Sequence, residues 1–114
     1  MFDPVEFYQF AGQLYQQKSE REVENRIIIS RAYYSAFLCA RHFSKISNSS
    51  GSIHKEVIDY FEKKPNKNIF NQLKQLKDLR QKADYDLNSA ILSRQAGKSL
   101  KLAGHILKKL NYLS

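Results

Sequence analysis

Two polar clusters interrupt the apolar pattern of the chain, and both contain residue types that bind anions. The first covers residues 30–34, S-R-A-Y-Y, and the second covers residues 80–86, R-Q-K-A-D-Y-D. An arginine guanidinium matches the oxygens of a phosphate, and burying it costs free energy unless it is paired or opens to a groove. Arg80 and Asp84 are four residues apart, the spacing of a helical ion pair. The clusters therefore predict either a phosphate site or a salt-bridge network that sets helix register.

Other kinds of catalytic site find little support in the residue spacing. The three histidines, His42, His54 and His105, form no H-x-x-x-H or H-E-x-x-H pair, and Cys39 is the only cysteine. There is also no glycine-rich phosphate loop and no G-x-S-x-G nucleophile motif. We expect no metal and no cofactor, and we expect Cys39 to be a small buried side chain without reactivity.

The charge of the chain is positive and unevenly distributed. Residues 1–52 carry 6 Lys and Arg against 5 Asp and Glu, whereas residues 53–114 carry 13 against 6. The net charge of +8 therefore lies almost wholly in the second part, which includes Lys77 and Lys82 beside the Arg80 cluster. A basic region suits RNA or nucleotide partners, because Lys and Arg displace counterions from phosphates. A surface that only maintains solubility is the alternative.

Length and composition indicate one small globular domain over residues 1–114. A chain of 114 residues with 42% hydrophobic and 26% charged residues can bury one core. The N-terminal residues lack the basic and apolar regions of a signal peptide, and no apolar stretch approaches the ~20 residues of a membrane span. We therefore expect a cytoplasmic protein with no membrane partner.

Apolar residues recur at spacings of three and four, which predicts an all-α, up-down bundle of about five helices without strands. Asp3 and Ser19 are the expected N-caps of the first two helices, and the third helix is expected to start after Ser52. The predicted helices cover residues 4–18, 20–43, 53–63, 68–83 and 89–112. The expected core contains Phe10, Leu14, Ile27, Tyr34, Phe37, Val57, Phe61, Leu73, Leu76, Ile106 and Leu110.

Three segments in order along the chain resemble small standalone proteins of the HEPN family. They are S-R-A-Y-Y-S-A-F at 30–37, I-H-K-E-V-I-D-Y-F at 53–61 and L-R-Q-K-A-D-Y-D at 79–86. The last resembles the family's most specific signature, R-x-x-A-D-Y-D at the end of the fourth helix. The resemblance covers residues 30–86 by motif and the whole chain by helix pattern.

The resemblance implies a helical bundle that dimerises, in a family rich in metal-independent ribonucleases. Many members are toxins paired with a nucleotidyltransferase-type antitoxin, or components of other defence systems. Their active motif is R-x-x-x-x-H, in which two copies meet across the dimer. Arg80 matches the arginine, but Tyr85 stands at the histidine position. By this resemblance Arg80, Asp84 and Tyr85 are the candidate catalytic residues, and Arg31, Lys77 and Lys82 are candidate RNA or phosphate ligands.

The tyrosine at position 85 changes the chemistry that the motif supports. Cleavage by the RNA's own 2′-hydroxyl needs a base to take a proton and a cation to stabilise the phosphate. Arg80 suits the second role, but a phenol with a reference pKa of ~10 is a poor base at neutral pH. On a regular helix Arg80 and Tyr85 lie ~140° apart, so they converge only if the helix ends there or a second subunit contributes.

Three functions stay open at this point. The first is an RNA-cutting toxin or defence component, which the family favours. The second is a non-catalytic HEPN module that binds RNA, a nucleotide or a partner protein, which Tyr85 favours. The third is a dimeric adaptor in which the Arg80 cluster is structural. If cleavage occurs, His42 or His54 could supply the base.

Overall fold

Five helices account for most of the computed structural model, which describes residues 1–47, 51–63 and 65–114. No strand occurs within these ranges, so the predicted all-α fold is confirmed. None of the helices in them combines the length and apolar composition that crossing a membrane requires. The helices are α1 Val5–Gln16, α2 Glu22–Ser44, α3 Ile53–Tyr60, α4 Lys67–Tyr85 and α5 Ser93–Lys109.

Helix α2 lies at the centre and packs against each of the other four helices. Its middle is apolar on nearly every side, which is why it can be enclosed. Ile29, Ala32, Tyr33 and Ala36 are fully buried along it. This arrangement places the 30–34 cluster inside the bundle, where every polar group needs a partner.

The first two helices do not begin at their predicted N-caps. The N-cap of α1 is Pro4, and Oδ1 of Asp3, one residue earlier, accepts a hydrogen bond from the Val5 amide at 3.0 Å. The third helix does start after Ser52, whose Oγ accepts from the Lys55 amide at 3.3 Å. The prediction for Ser19 was also wrong. Its Oγ accepts from the Arg21 amide at 3.2 Å in the turn before α2, because the helix begins two residues later than predicted.

The connection between α4 and α5 differs from the predicted one. α4 continues to Tyr85, whereas α5 begins only at Ser93 rather than at Ser89. Between them the Asp86 carboxylate accepts from the amides of Asn88 and Ser89 and from the Ser89 hydroxyl at 2.6 Å. An Asp side chain that accepts hydrogen bonds from the backbone amides just after it favours a turn over a helix. This explains the late start of α5.

The core divides into a large cluster shared by α2, α3, α4 and α5 and two smaller ones that include α1. Most predicted core residues are buried or half-buried. The predictions for Phe10 on α1 and Ile27 on α2 were wrong, since these side chains are 53% and 40% exposed. Apolar residues occur on more than one face of these helices, and spacing alone cannot tell which face is covered.

Two glycines of α5 let it approach α1 closely. A Cβ at Gly97 would lie 2.7 Å from the Tyr15 hydroxyl oxygen, and one at Gly104 would lie 2.8 Å from that of Tyr8. The lack of a side chain at these two positions leaves room for the tyrosines of α1, at the cost of some helix propensity.

Candidate functional site

Arg80 lies on the inner face of α4 and its guanidinium is surrounded by three tyrosine rings. Its side chain is only 8% exposed. The guanidinium carbon lies 5.2 Å from the ring centre of Tyr33, 5.5 Å from that of Tyr34 and 5.6 Å from that of Tyr85. Cation–π attraction to these rings offsets part of the cost of removing the charge from water.

The polar contacts of Arg80 are few and long. Nη1 donates to the Tyr85 hydroxyl at 3.4 Å and lies 3.8 Å from Oδ2 of Asp84. Nε is buried and has no hydrogen-bond partner among the described residues. A buried guanidinium normally satisfies its donors, so this one retains capacity for a further acceptor.

Tyr85 reaches Arg80 within one chain because α4 ends at that residue. On a continuing helix the two side chains would diverge, but at the helix terminus the phenol bends back over the guanidinium. Tyr85 is nevertheless 71% exposed. The pair therefore places a phenol hydroxyl at the solvent-facing side of an enclosed arginine.

Asp84 connects the two sequence clusters. Its Oδ2 lies 3.4 Å from Oγ of Ser30, which also accepts a hydrogen bond from Nη2 of Arg31 at 3.1 Å. The Arg31 guanidinium stacks over the rings of Phe7, at 5.0 Å, and Tyr34, at 5.3 Å. Arg31, Asp84 and Arg80 thus belong to one network on adjacent faces of α2 and α4.

The two lysines predicted to add positive charge lie in different places. Lys77 is half-buried, one turn before Arg80, and its charge helps to lower the pKa of His54. Lys82 lies across the helix, in a shallow depression that Tyr85 and Asp86 also line. The structure therefore brings Lys77 to the site and places Lys82 at its edge.

His54 and Tyr33 are site residues whose pairing the sequence does not reveal. Nδ1 of His54 lies 2.6 Å from the Tyr33 hydroxyl, and the imidazole stacks on Phe37 with ring centres 4.2 Å apart. Burial lowers the pKa of His54 below 6.5, and the nearby charges of Arg80, Lys77 and Arg41 lower it further. The resemblance of the segment I-H-K-E-V-I-D-Y-F at 53–61 was the only sequence signal that pointed to His54.

Neither of the other histidines contacts this site within the described part of the chain. Nδ1 of His42 lies 2.7 Å from the Tyr112 hydroxyl, near the C-terminal end of the chain. His105 is exposed on α5. Of the two histidines considered as a base, His54 is therefore the one that contacts residues around Arg80.

Arg26 holds the end of α4 in place, and sequence reasoning did not identify it. Its Nη1 donates to the carbonyls of Lys82 and Ala83 at 3.2 and 2.9 Å. Its Nη2 donates to those of Asp86 and Ser89 at 3.0 and 2.8 Å. The Lys82 carbonyl also accepts from the Asp86 amide at 3.1 Å, whereas the carbonyls of Ala83, Asp86 and Ser89 depend on Arg26. Arg26 therefore fixes the segment that carries Asp84 and Tyr85.

The described residues offer donors for an anion rather than ligands for a cation. Among residues 1–47, 51–63 and 65–114 no group of three or more His, Cys, Asp or Glu side chains is placed to hold a metal ion. Cys39 is buried, and burial raises the pKa of its thiol to about 12, as expected for an unreactive cysteine.

Comparisons with known proteins add one relative. No family model matches the chain, and no solved structure matches it. An uncharacterized protein of Methanocaldococcus jannaschii is 32% identical over a match that covers 78% of this chain and 66% of the relative. The matched region thus spans slightly less than two thirds of that relative's length. The resemblance to HEPN proteins stays a prediction from the motifs.

Proposed function

We propose that this chain is an RNA-directed protein of the HEPN type that acts as a metal-independent endoribonuclease in a toxin–antitoxin or other defence system. The observation that carries the proposal is the enclosed guanidinium of Arg80, whose Nε has no partner among the described residues. A phosphate would bind at the solvent-facing side of the guanidinium, where Nη1 meets the hydroxyl of the exposed Tyr85. The basic second half of the chain would attract the RNA strand.

The proposed reaction uses the substrate's own 2′-hydroxyl. A base removes the proton of that hydroxyl, its oxygen forms a bond to the adjacent phosphorus, and the bond from phosphorus to the 5′-oxygen breaks. The leaving oxygen takes up a proton, so the products are a 2′,3′-cyclic phosphate and a 5′-hydroxyl. Arg80 stabilises the charge that develops on the phosphate, and no metal is needed.

Tyr85 fits the end of this reaction better than its beginning. An exposed phenol hydroxyl is placed to donate a proton to the leaving oxygen. Asp84 holds Arg80 in position, and Arg31 provides further positive charge on the α2 side. Lys77 and Lys82 complete the proposed RNA contacts at the centre and edge of the site.

A non-catalytic HEPN module that binds RNA, a nucleotide or a partner protein is the second candidate. It is favoured by Tyr85, which replaces the family's histidine with a weak base. In that case the same donors would bind a phosphate without cleaving the strand.

Incubation of purified protein with a mixed-sequence RNA in excess chelator separates the two candidates. Cleavage that yields cyclic-phosphate ends, and that disappears in Arg80→Ala, supports the ribonuclease. Binding without cleavage, again dependent on Arg80, supports the second candidate. Arg94→Ala is the matched control, since Arg94 is an exposed arginine on α5. Cleavage by Arg80→Ala at the natural rate would overturn the proposal.

The proposal includes a homodimer and a nucleotidyltransferase-type antitoxin as partners, both implied by the resemblance. Exposed apolar side chains on the paired helices α1 and α2, namely Phe10, Val23 and Ile27, are suited to an interface between copies. We expect a dimer mass in light scattering at tens of micromolar, and loss of dimer in Phe10→Asp. A monomer at that concentration would contradict the homodimer.

A further inference from the structure

We infer that His54 is a neutral hydrogen-bond donor, through its Nε2–H, to the phosphate-bearing ligand of the Arg80 site, and that Tyr33 holds it in that form. The inference rests on the proposed function and assigns His54 a role other than that of the base. It concerns which ring nitrogen carries the proton, and the surroundings of the Tyr33 hydroxyl determine that.

The Tyr33 hydroxyl must donate its proton to His54. Tyr33 is fully buried, and its oxygen lies 2.6 Å from Nδ1 of His54. Burial raises the pKa of Tyr33 far above its usual value, so the phenol keeps its proton. Arg80, the other polar group beside it, has only donors. A buried hydroxyl needs an acceptor, and Nδ1 is the one within reach.

The tautomer of His54 follows from this hydrogen bond. If Nδ1 accepts, the proton of the neutral imidazole is on Nε2. Stacking on Phe37, with ring planes 15° apart, fixes the orientation of the imidazole. Nε2 has no hydrogen-bond partner among the described residues, and His54 is partly exposed. The ring therefore presents an available N–H in a fixed direction.

The charges around His54 favour the neutral ring. Arg41 of α2 and Lys77 and Arg80 of α4 all oppose a further positive charge on it. An imidazole that is neutral near pH 7 can donate a hydrogen bond to a phosphate oxygen without first taking up a proton. As a base it would instead need a free lone pair, and Tyr33 occupies the one it has.

The Tyr33–Tyr34 pair brings His54 and Arg80 to a common location. The ring centre of His54 lies 5.8 Å from that of Tyr33 and 6.3 Å from that of Tyr34. The guanidinium carbon of Arg80 lies 5.2 and 5.5 Å from the same two ring centres. His54 and Arg80 therefore share two aromatic neighbours, and in this inference one RNA strand contacts both the guanidinium and the neutral imidazole.

The tautomer is measured directly by long-range ¹H–¹⁵N NMR of the full chain at pH 7. We expect His54 to show the pattern of a protonated Nε2 and an unprotonated Nδ1, and Tyr33→Phe to give a mixture of both tautomers. A protonated Nδ1 with a bare Nε2 in the natural chain would overturn the inference, whatever the protein binds.

The role in binding is measured with a 2′-O-methyl oligonucleotide, which the proposed reaction cannot cleave. His54→Ala should weaken binding about tenfold, the loss expected for one hydrogen bond. His54→Gln should stay within about threefold of the natural chain, because its amide keeps a donor near the Nε2 position. His105→Ala, which removes an exposed histidine on α5, is the matched control and should bind normally.

The outcomes separate this inference from the proposed function. If Arg80→Ala loses binding while His54→Ala does not, or if His54→Gln binds as weakly as His54→Ala, the role of His54 is refuted and the Arg80 site stands. If Arg80→Ala binds normally, the proposed function fails. In that case the NMR result still decides the tautomer.

Discussion

Two arginines on neighbouring helices occupy contrasting surroundings within this bundle. Arg26 donates to four backbone carbonyls at 2.8–3.2 Å and to the Glu22 carboxylate at 2.8 Å. Arg80 makes a hydrogen bond to Tyr85 at 3.4 Å, an ion pair at 3.8 Å and a hydrogen bond to the Tyr33 hydroxyl, and its Nε is unpartnered among the described residues. Arg80 is nevertheless the more buried of the two side chains, at 8% exposure against 18%.

The difference indicates different tasks. Arg26 donates to the carbonyls at the end of α4, so its hydrogen bonds stabilise the folded chain. Arg80 is held mainly by aromatic rings, which attract a cation without saturating its donors. A buried cation that is positioned but not satisfied is poised for an external acceptor. The following predictions test that contrast, from the largest expected effect to the smallest.

Arg26→Ala should destabilise the protein most. It leaves carbonyls at the end of α4 and in the following turn without partners, and we expect a loss of about 3 kcal/mol in the free energy of unfolding. Urea denaturation followed by circular dichroism measures the loss. Arg94→Ala should change stability by less than about 0.5 kcal/mol. Equal stability of the Arg26→Ala and Arg94→Ala proteins would remove the structural role given to Arg26.

Arg80→Ala should reduce binding of RNA or nucleotide by about 1.5–3 kcal/mol, the range for a charge-assisted contact, while the helical fold persists. Arg80→Lys should restore only part of the affinity, because an ammonium keeps the charge but lacks the planar fork. Fluorescence anisotropy with a labelled RNA measures both.

A double-mutant cycle with Asp84 tests the structural alternative for Arg80. If Arg80 mainly pairs with Asp84, Arg80→Ala and Asp84→Ala should each lower the melting temperature. Their combination should then cost less than the sum of the two. A marked melting loss together with unchanged binding would contradict the contrast between Arg26 and Arg80.

Tyr85→His should preserve or raise any RNA cleavage, because an imidazole titrates near neutrality and restores the family's motif residue. Tyr85 is 71% exposed, so stability should change by less than about 0.5 kcal/mol. Rates of RNA cleavage in chelator compare the two proteins. Complete loss of cleavage in a well-folded Tyr85→His protein would mean that the phenol has an indispensable role of its own.

The smallest effect should be a pH dependence of stability that originates at His54. Its folded pKa is below the ordinary value of 6.5, so the unfolded chain binds more protons between these two values. This contribution to stability is fully present above pH 6.5 and is lost as the pH falls toward the folded pKa. Melting temperatures between pH 5 and 7.5 should fall less for His54→Gln than for the natural chain. Parallel curves would contradict the lowered pKa.

The sequence by itself determined the helical fold and the position of the candidate site along the chain. Spacings of three and four located all five helices to within a few residues, and the apolar surroundings of Tyr33 and Tyr34 placed α2 at the centre. The Arg80–Asp84 spacing identified their ion pair. These features are local, because they depend on residues that are neighbours on one helix.

Only the tertiary structure decided which distant groups meet. Tyr33 contacts His54 across 21 residues of sequence, and Arg26 reaches carbonyls 56 to 63 residues away. The tertiary structure also decided that Phe10 and Ile27 face outward. Periodicity defines an apolar helix face, but it does not show whether another helix packs on that face. Which donors of an arginine remain unsatisfied depends on every element packed around it, and that is why Arg26 and Arg80 look alike in sequence but differ in the fold.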